Sequence, residues 1–234
     1  MPEYEVYIKP LSPFQSPLQS DTIFGHICWA IRYISGEKAL KKFLSNYSTY
    51  QAPLLVSSGM PKGYVPMPVL RPLTPEEEET LYHRHYEGRR RLEFSQELKD
   101  LKKVEYIPID TLNSFQTKLS YFELYDAHIS RNTLLEVTKK NFQRPIEVWH
   151  NTINRLSGRV ITGRLFTKPE IFFTNEAEYV IYLRDGYLGR KMLEETFDFI
   201  SRSGFGADKS SGRGAFSFQI KEGWSLPKIE NPNG

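Results

Sequence analysis

The predicted order of secondary-structure elements constrains the fold of this chain most strongly. Near the C-terminus, KPEIFFTN and AEYVIYLRDG are typical of strands joined by a turn at residues 175–178, and RKMLEETFDFISRSG has apolar residues at helical spacing. A glycine-rich loop and a last strand, GAFSFQIKE, follow. Near the N-terminus, the alternating strand YEVYIK precedes a proline- and serine-rich loop and an amphipathic helix, capped by Ser20 or Asp21 and ending at Gly36. This order predicts an α+β fold, and two ferredoxin-like halves would fit it.

Composition excludes several classes of protein. The single cysteine excludes a disulfide framework and a cysteine-based zinc site, and it favours a reducing compartment. The N-terminus lacks the apolar region of a signal peptide, and no stretch approaches the length of an uncharged membrane span. We therefore expect a cytoplasmic chain with no membrane contact. The net charge of +3 allows an anionic partner without requiring one.

The histidines do not indicate a metal site. His83 and His85 are two residues apart in a charged, exposed helix over residues 76–103, broken at Gly88, and they point to different faces of it. His128 and His150 have no carboxylate cluster nearby in the sequence. We therefore expect neither a metal nor a cofactor.

The stretch SGFGADKSSGRGAFSF, residues 203–218, is a candidate anion-binding loop. Its glycines remove side chains, so main-chain amides can approach a ligand and form an anion-binding concavity. Lys209 and Arg213 add charge, and Ser210 and Ser211 add hydrogen-bond donors. The stretch lacks the P-loop pattern, and it follows a helix and precedes a strand, which is the reverse order. The alternative is a flexible connector with solvated basic residues.

A second basic segment is HNTINRLSGRVITGRLF, residues 150–166. It contains Arg155, Arg159 and Arg164 together with Gly158 and Gly163, and it predicts two short strands joined by a mobile basic loop. Arginines on such a loop can bind nucleic-acid phosphates in a bidentate way. An ordinary hairpin with a solvated tip is the alternative.

His26 and the aromatic residues give two further candidate contacts. His26 lies one helical turn past Thr22 and could act as a general base in RNA cleavage, although a structural or phosphate-contacting histidine is more common. Aromatic residues make up 14% of the chain. Phe205 and Phe216, at the glycine loop, could stack on bases, whereas most other aromatic residues fit a core.

Three motifs together resemble one protein family. The loop GFGADKSSGRGAF resembles the C-terminal signature of the RAMP superfamily of CRISPR proteins, and NTINRLSGRVITGRLF resembles that superfamily's arginine- and glycine-containing pattern ending in Leu-Phe. The segment PLQSDTIFGHICWAI resembles the first helix of the subunit-four group, the Cas5-like branch of the type III-A (Csm) interference complex. These motifs span the chain from end to end.

The resemblance implies a fold and a role. The fold would consist of two ferredoxin-like (RRM-related) modules, residues 1–125 with the charged helical insertion and residues 126–234, with a protruding β-hairpin and a C-terminal glycine-rich loop. Members of this branch cap one end of the effector, hold the 5′ handle of the crRNA near the target RNA, and dock the large polymerase-like subunit beside a backbone subunit. The role would be antiviral defence without catalysis.

By position, the resemblance also implies RNA-binding residues in three segments. Asn154 stands where backbone subunits often have aspartate, and cleavage of target RNA belongs to those subunits, so we do not assign it to this chain. The implied residues are Ser20, Asp21, Thr22 and His26 at the first helix; His150, Asn154, Arg155 and Arg159 at the root of the hairpin; and Gly204, Phe205, Gly206, Asp208, Lys209, Ser210, Ser211, Gly212, Arg213 and Gly214 in the handle-binding loop.

Three functional hypotheses follow. The first is a non-catalytic RNA-binding scaffold, in which contacts go mainly to sugar and phosphate. The second is a crRNA-processing endoribonuclease of the same superfamily that uses His26. The third is a protein–protein adaptor without an RNA role.

Overall fold

A computed structural model describes residues 1–48, 52–88, 90–114, 119–131, 142–224 and 226 of the 234-residue chain. The helices are α1 (Ser20–Ser35), α2 (Glu37–Ser45), α3 (Pro75–Tyr86), α4 (Arg91–Leu101), α5 (Ile109–Ser114), α6 (Tyr121–Arg131) and α7 (Gly189–Ser203). The strands are β1 (Glu3–Pro10), β2 (Leu54–Val56), β3 (Met60–Pro61), β4 (Tyr64–Pro66), β5 (Tyr106–Pro108), β6 (Gln143–Ile153), β7 (Val160–Phe173), β8 (Tyr179–Asp185) and β9 (Phe216–Glu222). Short 3-10 turns lie at Asn46–Ser48 and Lys209–Ser211.

A five-stranded antiparallel sheet is the centre of the first of two compact units, which contains residues 1–62 and 142–224. Its strand order is β2-β8-β1-β9, and β3 also pairs with β8. In β1, Val6 lies opposite Ile181 of β8 on one side and Ile220 of β9 on the other. Helix α1 follows β1, and α7 connects β8 to β9. Apart from the elements between β2 and β8, the unit therefore has βαββαβ connectivity.

The core of this unit lies between the sheet and the two helices. Alternate residues of β1 face it, as the two-residue period of a strand requires, and residues three or four apart on α1 and α7 complete it. Full burial of each such aliphatic or aromatic side chain contributes roughly 1.5–3 kcal/mol. The buried members include Val6, Ile8, Ile23, Ile27, Ile31, Leu193, Phe197 and Ile200.

The carboxylate of Asp185 fixes the start of α7. This side chain is 2% exposed at the end of β8. It accepts hydrogen bonds from the main-chain amides of Tyr187 and Leu188 at 3.0 and 2.9 Å, and from that of Gly189 at 2.7 Å. These amides would otherwise lack partners at the helix N-terminus, where a negative charge also interacts favourably with the helix dipole.

Strands β6 and β7 form a long hairpin within the same unit. They pair from Gln143 opposite Phe173 to Ile153 opposite Val160, so the strands are much longer than the two short ones predicted. The sequence predicts that two strands follow each other across a turn at residues 175–178, and β7 and β8 do so. These two strands do not pair with each other, because β7 pairs with β6 and β8 pairs in the central sheet. Phe14, in the loop after β1, exchanges two main-chain hydrogen bonds with Ile171, at 3.0 and 2.7 Å.

The second unit comprises residues 63–141 and 225–234, and its described part is mostly helical. Strands β4 and β5 form a two-stranded antiparallel sheet. Helix α3 begins with a capping box in which the Thr74 and Glu77 side chains each bind the other's main-chain amide. The predicted charged helix is two helices, α3 and α4, and Gly88 between them has a φ of 82°.

The division into units differs from the predicted boundary between residues 125 and 126. Because β1 pairs with β8 and β9, the N-terminal strand belongs with the C-terminal strands. In the described part of the second unit the sheet has two strands, so two ferredoxin-like modules are not confirmed. The mixed α and β composition with antiparallel sheets is confirmed.

We expect Asp185→Ala to lower the free energy of unfolding by about 2 kcal/mol, because three helix-start amides lose a charged acceptor. Urea denaturation measures this change. The matched control is Asp198→Ala on the same helix, whose exposed ion pair with Arg202 should contribute less than about 1 kcal/mol. Equal effects of the two substitutions would contradict the capping role.

Candidate nucleic-acid interface

The glycine-rich loop has a defined shape that its glycines make possible. Gly204, Gly206, Gly212 and Gly214 all have φ values between 79° and 83°, in the left-handed region that side chains disfavour. A Cβ atom on Gly214 would lie 2.0 Å from the carbonyl oxygen of Phe205. The glycines therefore allow close packing of the loop on itself, which differs from the flexible connector considered above.

The serine-rich loop after β1 holds the glycine loop in place. The hydroxyl of Ser12 accepts a hydrogen bond from the Ala215 amide at 2.9 Å, and that of Ser16 accepts one from the Ala207 amide at 3.3 Å. The sequence motifs do not identify Ser12 or Ser16. No local sequence signal marks them, because it is the antiparallel pairing of β1 with β9 that brings the end of one strand beside the start of the other.

His26 is a structural acceptor for the same loop. Its Nε2 atom accepts a hydrogen bond from the main-chain amide of Gly206 at 2.9 Å, and its ring centre lies 4.8 Å from that of Phe205. Burial, and secondarily the positive charge of Lys209, lowers the pKa of His26 from 6.5 to about 4. The imidazole is therefore neutral near pH 7, and the lone pair of Nε2 is directed at the amide.

The two aromatic residues expected to stack on bases belong to the core. Phe205 is 2% exposed and Phe216 is 5% exposed. Both rings pack against Phe14, with ring centres 5.7 and 6.5 Å away. Neither ring is available to a nucleotide, which corrects the expectation for both residues.

Two ion pairs join the glycine loop to β7. The Nε atom of Arg213 lies 2.9 Å from an oxygen of Glu170, a carboxylate that is completely buried. The Nζ atom of Lys168 lies 2.7 Å from Asp208, and this hydrogen bond lowers the pKa of the Asp208 carboxyl group. The Nε2 atom of His150 lies 3.7 Å from the same oxygen of Glu170. Arg213 is thus engaged within the protein, and Glu170 and Lys168 are site residues that the sequence motifs did not identify.

The remaining cation of the loop, Lys209, is exposed and available. Within the part of the chain that the structure describes, Lys209 forms no ion pair, and the main-chain amides of Lys209, Ser210 and Arg213 have no acceptor. Ser210 is also exposed, whereas the hydroxyl of Ser211 donates to the carbonyl oxygen of Asp208 at 2.8 Å. The outer edge of the loop therefore presents one ammonium group and several donors.

The start of α1 differs from the expected cap. The residue before the helix is Gln19, whose side chain makes no capping hydrogen bond, and Ser20 and Asp21 lie within the first turn. The Asp21 carboxylate accepts a 2.6 Å hydrogen bond from the Thr22 amide, and the Ser20 amide donates to Ser58 at 3.1 Å. Of the four residues implied here, the structure brings only His26 into hydrogen-bond contact with the glycine loop.

Three of the four residues expected at the root of the hairpin lie at its tip. Residues 154–159 connect β6 to β7, so Asn154, Arg155 and Arg159 are at the turn, and His150 lies within β6. The Asn154 side chain accepts hydrogen bonds from the amides of Leu156 and Ser157, at 2.9 and 3.3 Å. Asn154 therefore shapes the turn, as asparagine commonly does.

The part of the β6–β7 hairpin between residues 148 and 169, here called the distal hairpin, has basic side chains and no acidic ones. Between Glu147 and Glu170 the sequence has no acidic residue. Arg155, Arg159 and Arg164 are exposed, and none forms an ion pair with any described residue. Several apolar side chains around them are also exposed, including Trp149 at 68% and Leu156 at 99%.

The described ranges contain neither a metal-binding cluster nor a membrane-spanning helix. No cluster of three or more histidine, cysteine or acidic residues there could hold a metal ion. No helix in these ranges is both long and apolar enough to cross a membrane.

Solved structures resemble this fold, although no protein-family model and no curated protein matches the sequence. The crystal structure of a Csm1–Csm4 cassette in complex with pppApA matches with a TM-score of 0.59 and 19% identity, over 100% of this chain and 73% of that chain. A Csm1–Csm4 cassette in complex with AMPPNP matches with a TM-score of 0.56 and 20% identity, over 100% of this chain and 74% of that chain. A Csm3–Csm4 subcomplex of the type III-A CRISPR-Cas interference complex matches with a TM-score of 0.56 and 16% identity, over 93% of this chain and 68% of that chain. Csm4 is the subunit that these three structures share, and the similarity shows that this chain has the same kind of fold.

We expect Arg213→Ala to lower the free energy of unfolding by about 3 kcal/mol, because it leaves the buried Glu170 carboxylate without its cation. Lys209→Ala should change it by no more than about 0.5 kcal/mol, because that side chain is exposed and unpaired. Urea denaturation of both variants tests the difference. Similar small effects at both positions would show that the Arg213 pair does not hold the loop.

The lowered pKa of His26 predicts how the free energy of unfolding changes with pH. Because the folded-state pKa of about 4 lies below the ordinary value of 6.5, the folded state resists protonation more than the unfolded chain does. Its contribution to stability is therefore complete above pH 6.5 and is lost as the pH falls toward 4, by at most about 1.4 kcal/mol per pH unit.

The measurement is the difference in free energy of unfolding between the wild type and His26→Gln across this pH range. Glutamine can accept the Gly206 hydrogen bond but does not titrate. The difference should shrink or reverse in sign as the pH falls. Parallel pH profiles would contradict a buried, neutral imidazole.

Proposed function

We propose that this chain, which has the Csm4-like fold of a RAMP protein, is an RNA-binding subunit of a type III-A CRISPR effector. The observation that carries the proposal is the unneutralised charge of the distal hairpin. Three exposed arginines lie there without a carboxylate partner among the described residues, in a segment of 22 residues, 148–169, that has no acidic side chain. Such a surface attracts phosphates and releases their counterions on binding.

The glycine loop is the proposed contact for the crRNA 5′ handle. Lys209 supplies the cation, and the amides of Lys209, Ser210 and Arg213 supply donors at one edge of the loop. Gly204, Gly206, Gly212, Gly214, Asp208 and Ser211 would shape that edge rather than touch RNA. Arg213 would act indirectly, by fixing the loop against Glu170.

The assemblies that contain this fold support a proposal for the partners of this chain. The similar structures contain Csm1 with Csm4 and Csm3 with Csm4. We propose corresponding contacts of this chain with a large polymerase-like subunit and with a backbone subunit, near the target RNA in the cytoplasm. The βαββαβ unit would be the ferredoxin-like module that presents the loop and the hairpin to the RNA.

A non-catalytic role is supported by the environment of His26. A general base needs a lone pair within reach of the proton that it removes. The Nε2 lone pair of His26 instead accepts the Gly206 amide, and no described cluster could hold a metal ion. We therefore propose a scaffold and not the processing endoribonuclease. Specific cutting of repeat RNA by the purified protein, lost in His26→Ala, would overturn this assignment.

The test of RNA binding is the salt dependence of affinity. Replacing Arg155, Arg159 and Arg164 together by alanine should weaken binding to single-stranded repeat RNA. It should also reduce the slope of log K against log salt by about two, at roughly 0.7 per lost phosphate contact. Titration monitored by fluorescence anisotropy at several salt concentrations measures both quantities.

The charge-matched control replaces Lys99 of α4 and Lys102 and Lys103, which follow that helix, by alanine, and this changes the net charge equally. This control should retain a slope close to the wild-type value. If the hairpin variant and the control behave alike, the hairpin is not a specific RNA contact. Unchanged RNA affinity in both variants would favour the protein–protein adaptor.

A further inference from the structure

Three aromatic rings lie close together where α1 and α7 meet in the first unit. The ring centres of Trp29 and Tyr33 are 5.8 Å apart with planes inclined by 27°. Those of Tyr33 and Phe199 are 5.5 Å apart with planes inclined by 24°. Neighbouring rings are therefore stacked with planes less than 30° apart, and the three side chains are here called the aromatic platform.

The platform is open to solvent. Trp29 is 52% exposed and Tyr33 is 68% exposed, and Phe199 is partly exposed. The core between sheet and helices is filled by other residues of the same helices, including Ile27, Ile31 and Ile200. Core packing therefore does not explain two large exposed rings on neighbouring turns of α1.

The platform continues from the glycine loop along one side of α1. His26, Trp29 and Tyr33 are spaced at i, i+3 and i+7, which places them on one face of the helix. At 1.5 Å per residue, Trp29 and Tyr33 lie about 4.5 and 10.5 Å along the helix axis from His26. His26 itself binds the Gly206 amide. A strand that contacts the glycine loop can thus reach both rings without leaving this helix face.

A cation accompanies the rings. The guanidinium of Arg32 lies 5.2 Å from the centre of the Trp29 ring. Its ion pair with Glu37 is 3.9 Å long and exposed, and such pairs contribute little. Arg32 is therefore free to exchange Glu37 for a phosphate while remaining close to the ring.

Charged residues limit the apolar area around the platform. Glu195 and Arg202 lie four residues before and three residues after Phe199 on α7, and both are exposed. A protein-binding hot spot needs surrounding contacts that exclude water. Parallel rings beside a guanidinium instead match the way in which single-stranded RNA is bound, with bases on aromatic faces and phosphates on cations.

We propose that one unpaired base of the RNA strand that continues from the glycine loop extends the stack of the aromatic platform, with Arg32 contacting the adjoining phosphate. This inference rests on the proposed RNA-binding function and extends it from the sugar-phosphate backbone to the bases. Because every base has an aromatic face, the platform adds affinity without selecting a sequence.

The experiment compares two probes, a short oligoadenylate and an abasic ribose-phosphate oligomer of the same length. Replacing Trp29 and Tyr33 together by alanine should weaken oligoadenylate binding by about 5- to 150-fold, as expected for the loss of one stacked base. Binding of the abasic oligomer should stay within about twofold of the wild type. The variant with Trp29→Phe and Tyr33→Phe, which keeps both rings, should retain oligoadenylate affinity.

A spectroscopic signal gives an independent readout that does not depend on the alanine variant folding. Oligoadenylate should quench part of the tryptophan fluorescence of the wild type, and that part should be absent in Trp29→Phe. The abasic oligomer should not quench it. Equal quenching in the wild type and Trp29→Phe would overturn the platform.

The other outcomes separate the two proposals. If the alanine variant binds both probes like the wild type, the platform is overturned and the surface belongs to a protein partner, while the proposed function stands. If it loses both probes equally, the rings have a structural role and the platform is again overturned. If the wild type binds neither probe, the proposed function itself fails, and the platform fails with it.

Discussion

The contact between Arg213 and the buried carboxylate of Glu170 is the interaction on which the candidate interface depends. It joins the glycine loop to the hairpin strand β7, and the pair of Lys168 with Asp208 reinforces the same junction. A carboxylate that is fully buried requires a cation, so the loop cannot move away from β7 without a large energetic cost. The loop therefore keeps a fixed position from which Lys209 and the free amides point outward.

The second constraint is topological. Because β1 lies between β8 and β9, the serine-rich loop after β1, the start of α1 and the glycine loop before β9 meet at one end of the sheet. Ser12, Ser16 and His26 each accept an amide of the glycine loop. Segments nearly two hundred residues apart in sequence thus build one surface, and Lys168 and Glu170 of β7 join it through their ion pairs with the loop.

Part of this arrangement could be predicted from the sequence. Helices α1 and α7 were predicted correctly because their signals are local. These signals are the periodic apolar residues of both helices and the glycine that ends α1. Strand pairing is not local, so the sequence patterns did not show that β1 lies between β8 and β9, and the predicted domain boundary fell after residue 125. Charge state and burial are also tertiary properties. The motif marks Arg213 and Phe205 as ligands, whereas Glu170 neutralises the first and the core encloses the second.

The most direct test is an electron cryo-microscopy map of the assembled particle with its guide RNA. The account requires phosphates within hydrogen-bond distance of Lys209 and of the hairpin arginines, with Arg213 still bound to Glu170. A map in which the glycine loop and the hairpin tip contact only protein would contradict the proposed interface. So would a map in which Arg213 leaves Glu170 for the RNA, because the loop would then not depend on the buried pair.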